Sequence, residues 1–340
     1  MNADEQVRLA DWLRAHVAPF EGAVRLQPLV GGQSNPTYRM DAGEHRWVLR
    51  RKPPGELLAS AHAVDREYRV MAALAGTEVP VPRMHALCED PAVIGSTFVV
   101  MDLIEGRVFA DPSLPGCAAD ERAAIYAAMA RTLAAIHRVD VAGVGLAGHG
   151  RPQNYLSRQI ERWTRQYRAS QTEPLDAMER LIAWLPANLP AGLDDEPGTL
   201  VHGDYRIDNL IFHPTQPRVL AVIDWELSTL GHPLADLAYH LMAWRVTPDE
   251  FRGLLGHDLA ALGIPDEAAH LAAYQVGGGR APGPHWDYVM AFNMFRMAAI
   301  LQGILSRALQ GNAAAGNARA TGERARRMAE AGWRQALRLG

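Results

Sequence analysis

The sequence predicts an α+β protein: a small antiparallel β-sheet lobe with one helix, over residues 1–103, followed by a larger, mainly helical lobe over residues 104–340. Three observations predict it. Short β-rich runs gather early, at 24–30, 37–40, 46–50, 84–88 and 97–103. Long runs with apolar residues three or four apart dominate the remainder. At 201–226, two further short strands separate polar turns rich in carboxylates.

Taken in order, Val7, Ala10, Leu13 and Val17 recur at helical spacing and predict a helix over about 4–17. Val24 to Val30 and Thr37 to Met40 read as strands around Gly31, Gly32, Gln33, Ser34, Asn35 and Pro36, and Arg46 to Arg50 as a third. A Gly pair lets backbone N–H groups approach a phosphate closely, although between strands it also suits a plain hairpin. Ser60 can cap a helix whose inward stripe is Val64, Glu67, Met71 and Leu74. A carboxylate on an apolar stripe is costly unless paired, so Glu67 is expected to meet Arg50. The rigid Val79-Pro80-Val81-Pro82 leads to strands at 84–88 and 97–103, the second running into Met101, Asp102 and Leu103.

The later part opens with a helix from Ala119 to His137. Gly143-Val144-Gly145-Leu146-Ala147-Gly148 matches G-x-G-x-x-G, but it follows a helix and precedes Arg151-Pro152, which excludes a dinucleotide turn. Helices over 154–168 and 174–184 are expected to form one wall of an acceptor pocket. Long helices are expected over 285–310 and 313–339, and Asp236 near the start of a helix is expected to cap or brace.

The 340 residues carry 48% apolar side chains and a net charge of -4, ample for a core and without a global basic field for nucleic acid or an anionic membrane. Cys88 and Cys117 are too few for a disulfide framework, and the first helix does not read as a signal peptide, so a cytoplasmic location is expected. Lys52 is the only lysine, and no Gly-Lys-Ser/Thr is present, which excludes a Walker A loop.

The chemistry concentrates in Val201-His202-Gly203-Asp204-Tyr205-Arg206-Ile207-Asp208-Asn209 and in Asp224-Trp225-Glu226. Phosphoryl transfer with magnesium needs one carboxylate to orient an attacking hydroxyl, then an amide and a second carboxylate to hold metal. Asp204, Asn209 and Asp224 supply these in order. His202 suits a role bracing the loop.

This pattern resembles the H-x-D-x-x-x-x-N loop and metal-binding Asp of the protein-kinase-like superfamily, and Gly203, where protein kinases carry Arg, resembles the aminoglycoside and choline phosphotransferase branch. The resemblance implies a bilobal protein-kinase-like fold, ATP and Mg2+ as cofactors, and a small-molecule hydroxyl as acceptor. It assigns Asp204 and Arg206 to catalysis and Asn209 and Asp224 to metal. Nucleotide contacts would come from Gly31, Gly32, Gln33, Ser34, Asn35, Val48, Arg50, Glu67, and the hinge at Met101, Asp102 and Leu103. Arg50 stands where the family carries Lys, with Lys52 as its rival for the phosphates.

The segments Gly31 to Tyr38, Val48 to Gly55, Ser60 to Tyr68 and Val201 to Trp244 are similar to the kinase-like domain fused to certain acyl-CoA dehydrogenases and its stand-alone bacterial relatives. That likeness covers nearly the whole chain, leaves no dehydrogenase half within it, and implies a hydroxyacyl-CoA acceptor. An aminoglycoside or another amino alcohol is the competing acceptor and would want acidic residues, of which Asp194-Asp195-Glu196 is the obvious run. Arg280, Arg296, Arg307 and Arg319 would instead serve an anionic one. A nucleotide-binding scaffold without turnover is the third reading.

Overall fold

The alternation of side chains across the early strands builds one antiparallel sheet. The computed structural model describes residues 1–29, 35–53, 64–311 and 317–339. Strands β1 (Val24–Pro28), β2 (Thr37–Ala42), β3 (His45–Arg51), β4 (Met84–Cys88) and β5 (Phe98–Asp102) lie in the order β1-β2-β3-β5-β4. In β3, Trp47 and Leu49 point to one face and Val48 and Arg50 to the other. Helices α1 (Ala3–His16) and α3 (Pro91–Ile94) close the first face, where Leu9, Leu13, Met40, Trp47, Leu49, Phe98 and Val100 share a buried cluster. The second face carries Val48 opposite Met101 and Arg50 opposite Val99, and it meets α2 (Val64–Leu74).

The first helix departs from its expected stripe. Val7 is 60% exposed and Leu9 is buried in its stead, while Ala10 and Leu13 are buried as expected. The helix begins at a capping box in which the Glu5 N–H donates to Asn2 Oδ1 and the Asn2 N–H donates to Glu5 Oε2, both at 2.8 Å. That start sets the phase of the helix. In α2, by contrast, Val64, Glu67, Met71 and Leu74 are all buried, as their spacing predicts.

After β5 come α4 (Ala119–His137), α5 (Tyr155–Ser170), α6 (Asp176–Ala187), β6 (Thr199–Val201), β7 (Leu210–Phe212), β8 (Val219–Val222), β9 (Thr229–Gly231) and α7 (Pro233–Leu241). Strands β6 and β9 pair antiparallel, and β7 pairs with β8. The short α8 (Pro248–Phe251) and α9 (Leu259–Leu262) precede α10 (Glu267–Val276), α11 (Trp286–Leu309), α12 (Ala318–Gly322) and α13 (Ala325–Ala336). The glycine-rich segment at 143–148 forms turns after α4, with the Gly143 N–H donating to Asp140 Oδ1 at 3.0 Å.

The single helix expected over 313–339 is two helices, and residues 312–316 lie outside the described part. Gly322 ends α12 where a Cβ would stand 2.5 Å from the Leu305 backbone nitrogen, so close packing on α11 demands glycine there. By length and composition α11 would cross a bilayer, but 78% of its most apolar window is buried against its neighbours, which include α5, α7, α12 and α13.

By its contacts the chain divides into two units. One comprises Met1–Arg107, Ile211–Pro214 and Leu220–Ser228, and the other Val108–Leu210, Thr215–Val219 and Thr229–Gly340. The hairpin of β7 and β8 therefore falls largely with the sheet, late as it is in the sequence.

Within the helical unit, His240 and His270 are buried and meet Nε2 to Nε2 at 3.1 Å. Of two ring nitrogens facing each other one must donate and the other accept, so at least the accepting ring is neutral. Burial holds His240 down to about 4 and His270 well below the ordinary histidine value. As pH falls, the unfolded chain takes up a proton near 6.5 before the fold can. Stability from His240 is therefore complete above about pH 6.5 and lost toward pH 4, by about 3 kcal/mol. Urea unfolding across this range should show that loss in the native protein and not in the H240L/H270L variant.

Candidate active site

A buried ion cluster lies on the second face of the sheet. Arg50 Nε stands 3.0 Å from Glu67 Oε2, Arg50 Nη2 2.9 Å from Asp224 Oδ1, and the same nitrogen 3.8 Å from Glu226 Oε2. The Arg50–Glu67 contact is an ion pair rather than an aligned hydrogen bond, since both atoms lack hydrogen-bond partners. Helix α2 brings Glu67 through its buried stripe, β3 brings Arg50, and the end of β8 brings Asp224 and Glu226. Asn35 Nδ2 donates to Glu226 Oε2 at 3.4 Å. Lys52, one side-chain repeat further along, is instead 3.1 Å from Asp65.

Burial works against the charge of Arg50, but Glu67, Asp224 and Glu226 hold its pKa above the usual arginine value. Burial pushes Glu67 up to about 7; Arg50 pulls it down, and Asp224 and Glu226 push it further up. One guanidinium thus faces three carboxylates, all oxygen donors. Asp224 and Glu226 keep 29% and 20% of their side chains exposed, and among the described residues no three His, Cys, Asp or Glu side chains are set to hold a metal ion by themselves. Asp224 also has a φ of 67°, a left-handed conformation that Asp tolerates better than most residues and that recurs where function sets the backbone.

In the helical unit, the loop after β6 is fixed from below. Asp236, buried in the first turn of α7, accepts from the His202 N–H at 2.7 Å and the Gly203 N–H at 2.8 Å, and lies 3.2 Å from His137 Nε2. Burial alone would raise the Asp236 pKa; the bond to His137, and the charges of His137 and His202, hold it below the ordinary value. Gly203 takes a φ of 84°, which allows the chain to turn over this carboxylate. His202 Nδ1 accepts from the Asp204 N–H at 3.2 Å, a bracing contact.

The Asp204 carboxylate so presented is surrounded by donors. Tyr239 Oη donates to Oδ1, Arg206 Nε lies 3.1 Å from Oδ1, and Asn209 Nδ2 donates to Oδ2 at 3.1 Å and to the Asp204 carbonyl at 2.8 Å. A carboxylate offers about four lone-pair sites, so this pinned group retains capacity to accept from an incoming hydroxyl. Arg206 is also 3.4 Å from Asp208. Beside the loop a narrow pocket of about 60 Å³ is lined by Tyr126, Met129, Arg206, Ile207, Tyr239 and Trp244, among others.

Asp204, Arg206 and Asn209 are thus together in one unit, and Asn35, Arg50, Glu67 and Asp224 in the other. Val48 and Met101 share the Arg50 face of the sheet and are nearly buried. Asp102 Oδ1 accepts from His85 Nε2 at 2.7 Å, with Leu103 next in the chain. Gly31, Gly32, Gln33 and Ser34 lie outside the described residues. Sequence reasoning missed Tyr239 and, though it singled out the Asp224-Trp225-Glu226 segment, gave Glu226 no role. The signal for Tyr239 was its place three residues after Asp236, on the same helical face.

Of the four arginines expected to serve an anion, Arg280 pairs with Glu196 and Arg319 with Glu323, while Arg307 is exposed on α11. Arg296 alone among them reaches the loop, donating to the Gly203 carbonyl at 2.5 Å. Two of the three residues of the acidic run are occupied: Asp194 accepts from the Leu156 and Ser157 N–H groups at 2.6 and 3.0 Å, and Glu196 is also 3.1 Å from His232, while Asp195 is exposed.

A family model described as "Phosphotransferase enzyme family" matches residues 25–292. "Acyl-CoA dehydrogenase family member 10" of Mus musculus is 46% identical over 322 residues, covering 94% of this chain but only 30% of its own length. A crystal structure of a "putative aminoglycoside phosphotransferase" from Ralstonia eutropha JMP134 is 50% identical, with 98% of each chain covered and a TM-score of 0.89. The aminoglycoside phosphotransferase APH(4)-Ia, in a ternary complex with AMP-PNP and hygromycin B, is 16% identical over 95% of this chain and 98% of its own, with a TM-score of 0.59, a likeness of fold.

Glu67 makes the cluster titratable. Folded, it holds its proton up to about pH 7; unfolded, it releases it near 4.5. Its stabilising contribution is therefore complete below about pH 4.5 and lost by about pH 7, roughly 3 kcal/mol in all. Chemical unfolding of wild type and E67Q at pH 4.5 and pH 7.5 should show the difference between them shrinking or reversing by that amount as pH rises.

Proposed function

We propose, from the premise that this chain belongs to the phosphotransferase enzyme family, that it is an ATP- and magnesium-dependent kinase of small molecules in the cytoplasm, transferring the γ-phosphoryl group to a hydroxyl. The protein-kinase-like fold and phosphotransferase character come with the family; nucleotide, metal and acceptor are our reading. The observation that carries it is the Asp204 carboxylate, held by Tyr239, Arg206 and Asn209 on a loop braced by Asp236.

Asp204 orients the acceptor hydroxyl and receives its proton as the new P–O bond forms and the β,γ-bridging P–O bond of ATP breaks, the leaving electrons going to ADP. Asn209 and Asp224 are the proposed magnesium ligands. When bound, magnesium would neutralise phosphate charge that the side chains alone cannot. Arg50, backed by Glu67, contacts the α and β phosphates, and its fork can replace the usual lysine ammonium. Gly31, Gly32, Gln33, Ser34 and Asn35 cover the phosphates, Val48 covers adenine, and Met101, Asp102 and Leu103 supply its hinge. Arg206 stabilises charge on the moving group. Residues 1–103 serve the nucleotide and residues 104–340 the acceptor.

A hydroxyacyl-CoA is the acceptor we favour. The support is the 46% identity to a protein named as an acyl-CoA dehydrogenase family member, together with the commitment of Asp194 and Glu196, two of the three residues of the acidic run, to internal partners. An aminoglycoside or amino-alcohol acceptor is the second reading, supported by the name of the Ralstonia eutropha relative. The intact Asp204, Asn209 and Asp224 set argues against a scaffold without turnover.

Asp204→Asn keeps an acceptor oxygen for Tyr239 yet removes the base, so kcat should fall by about 10²–10⁴ with nucleotide affinity retained. ADP release on a panel of hydroxyacyl-CoAs and aminoglycosides, with calorimetry for ATP, measures both; turnover unchanged in D204N ends this assignment. Asp224→Ala or chelation by EDTA should abolish transfer on every acceptor in the same assay.

A further inference from the structure

Arg296, which reaches the Asp204 loop, and Arg162, which lies against the same Trp163 ring, have no carboxylate partner among the described residues. Arg296 lies in the middle of α11 and is 5% exposed. One nitrogen donates to the Gly203 carbonyl, but its Nε is buried with no hydrogen-bond partner, and no carboxylate pairs with it among the described residues. Its guanidinium carbon lies 5.0 Å from the Tyr239 ring centroid and 5.5 Å from that of Trp163. Arg162, on α5 and exposed, approaches the same Trp163 ring at 5.5 Å and likewise has no carboxylate partner among the described residues. Tyr155, 6% exposed, stands near both cations, and its hydroxyl makes no hydrogen bond among the described residues.

Bracing Gly203 explains one of the five N–H donors of Arg296. It explains neither the unmatched Nε nor a second cation drawn close enough to depress the Arg162 pKa, after burial, through repulsion. A buried charge without a partner costs several kcal/mol, and like charges side by side add to it. An oxyanion bound by the two guanidiniums and the Tyr155 hydroxyl would offset both costs, and arginine forks suit carboxylate and phosphate. The loop that Arg296 touches carries Asp204 as its next residue, and Tyr239 stacks under Arg296 while donating to Asp204.

Resting on the phosphotransferase reading above, we propose that Arg162 and Arg296, with Tyr155, form an anion subsite that recognises a carboxylate or phosphate group on the acceptor and sets its hydroxyl against Asp204. The subsite selects anionic alcohols over the polycationic aminoglycosides.

Calorimetry on the intact chain, saturated with magnesium and a non-hydrolysable ATP analogue, tests this with malonate and inorganic phosphate as probes. Wild type should bind at least one of them. Tighter binding of malonate marks a carboxylate acceptor and tighter binding of phosphate a phosphorylated one. Arg162→Ala should weaken binding by about ten- to a hundredfold, the size of one lost charged hydrogen bond. Arg165→Ala, exposed on the same helix, should leave it unchanged, and Arg296→Lys should weaken it also. Equal affinity in wild type and R162A, no binding of either anion, or loss of the nucleotide analogue in R162A overturns the subsite. Transfer to alcohols with no effect of R162A on anion affinity sinks the subsite and spares the kinase. Anion binding that R162A weakens, with no transfer to any alcohol, keeps the subsite and sinks the kinase.

Discussion

The geometry of the helical unit hangs on one buried carboxylate. Asp236 holds the His202 and Gly203 N–H groups and the His137 ring at once, so three donors with no access to water are satisfied by one side chain. Remove it and two backbone N–H groups are orphaned inside the protein. Its position at the start of α7 has a second effect, because one helical turn later the same face delivers Tyr239 to Asp204. The loop and the group that pins its central carboxylate are therefore set by a single helix.

The sheet-bearing unit makes a different bargain. Arg50 is enclosed by Glu67, Asp224 and Glu226, and burial, with the two neighbouring carboxylates adding to it, raises Glu67 to about 7 against the pull of Arg50. Such an arrangement is poor for stability by itself, since desolvation of four ionisable groups is not repaid by one guanidinium. The left-handed backbone at Asp224 is consistent with a position held for its side chain's direction.

Charge also separates the possible acceptors. Asp194 and Glu196, two of the three acidic residues that a polycation would need, are spent on capping α5 and pairing Arg280 and His232, whereas Arg162 and Arg296 stand without carboxylates among the described residues. Surplus positive charge next to Asp204, and surplus negative charge around Arg50, are opposite conditions, and each suits a different part of a phosphoryl transfer.

The sequence by itself determined the α+β order of elements, the inward stripe of α2, and the spacing of Asp204, Asn209 and Asp224, because each depends on local periodicity or on a few neighbouring residues. It also determined that Glu67 needed a cation, since a carboxylate on an apolar stripe admits little else. The expected partner, Arg50, is the one found; only the tertiary structure decided that Lys52 pairs with Asp65, that Val7 faces solvent while Leu9 is buried, and that the last long helix breaks at Gly322. It alone chose Arg296 from four candidate arginines, and showed that Asp194 and Glu196 are occupied. The reason is physical: periodicity records which face of an element is buried, but which charges meet there depends on contacts between residues as far apart as Gly203 and Arg296.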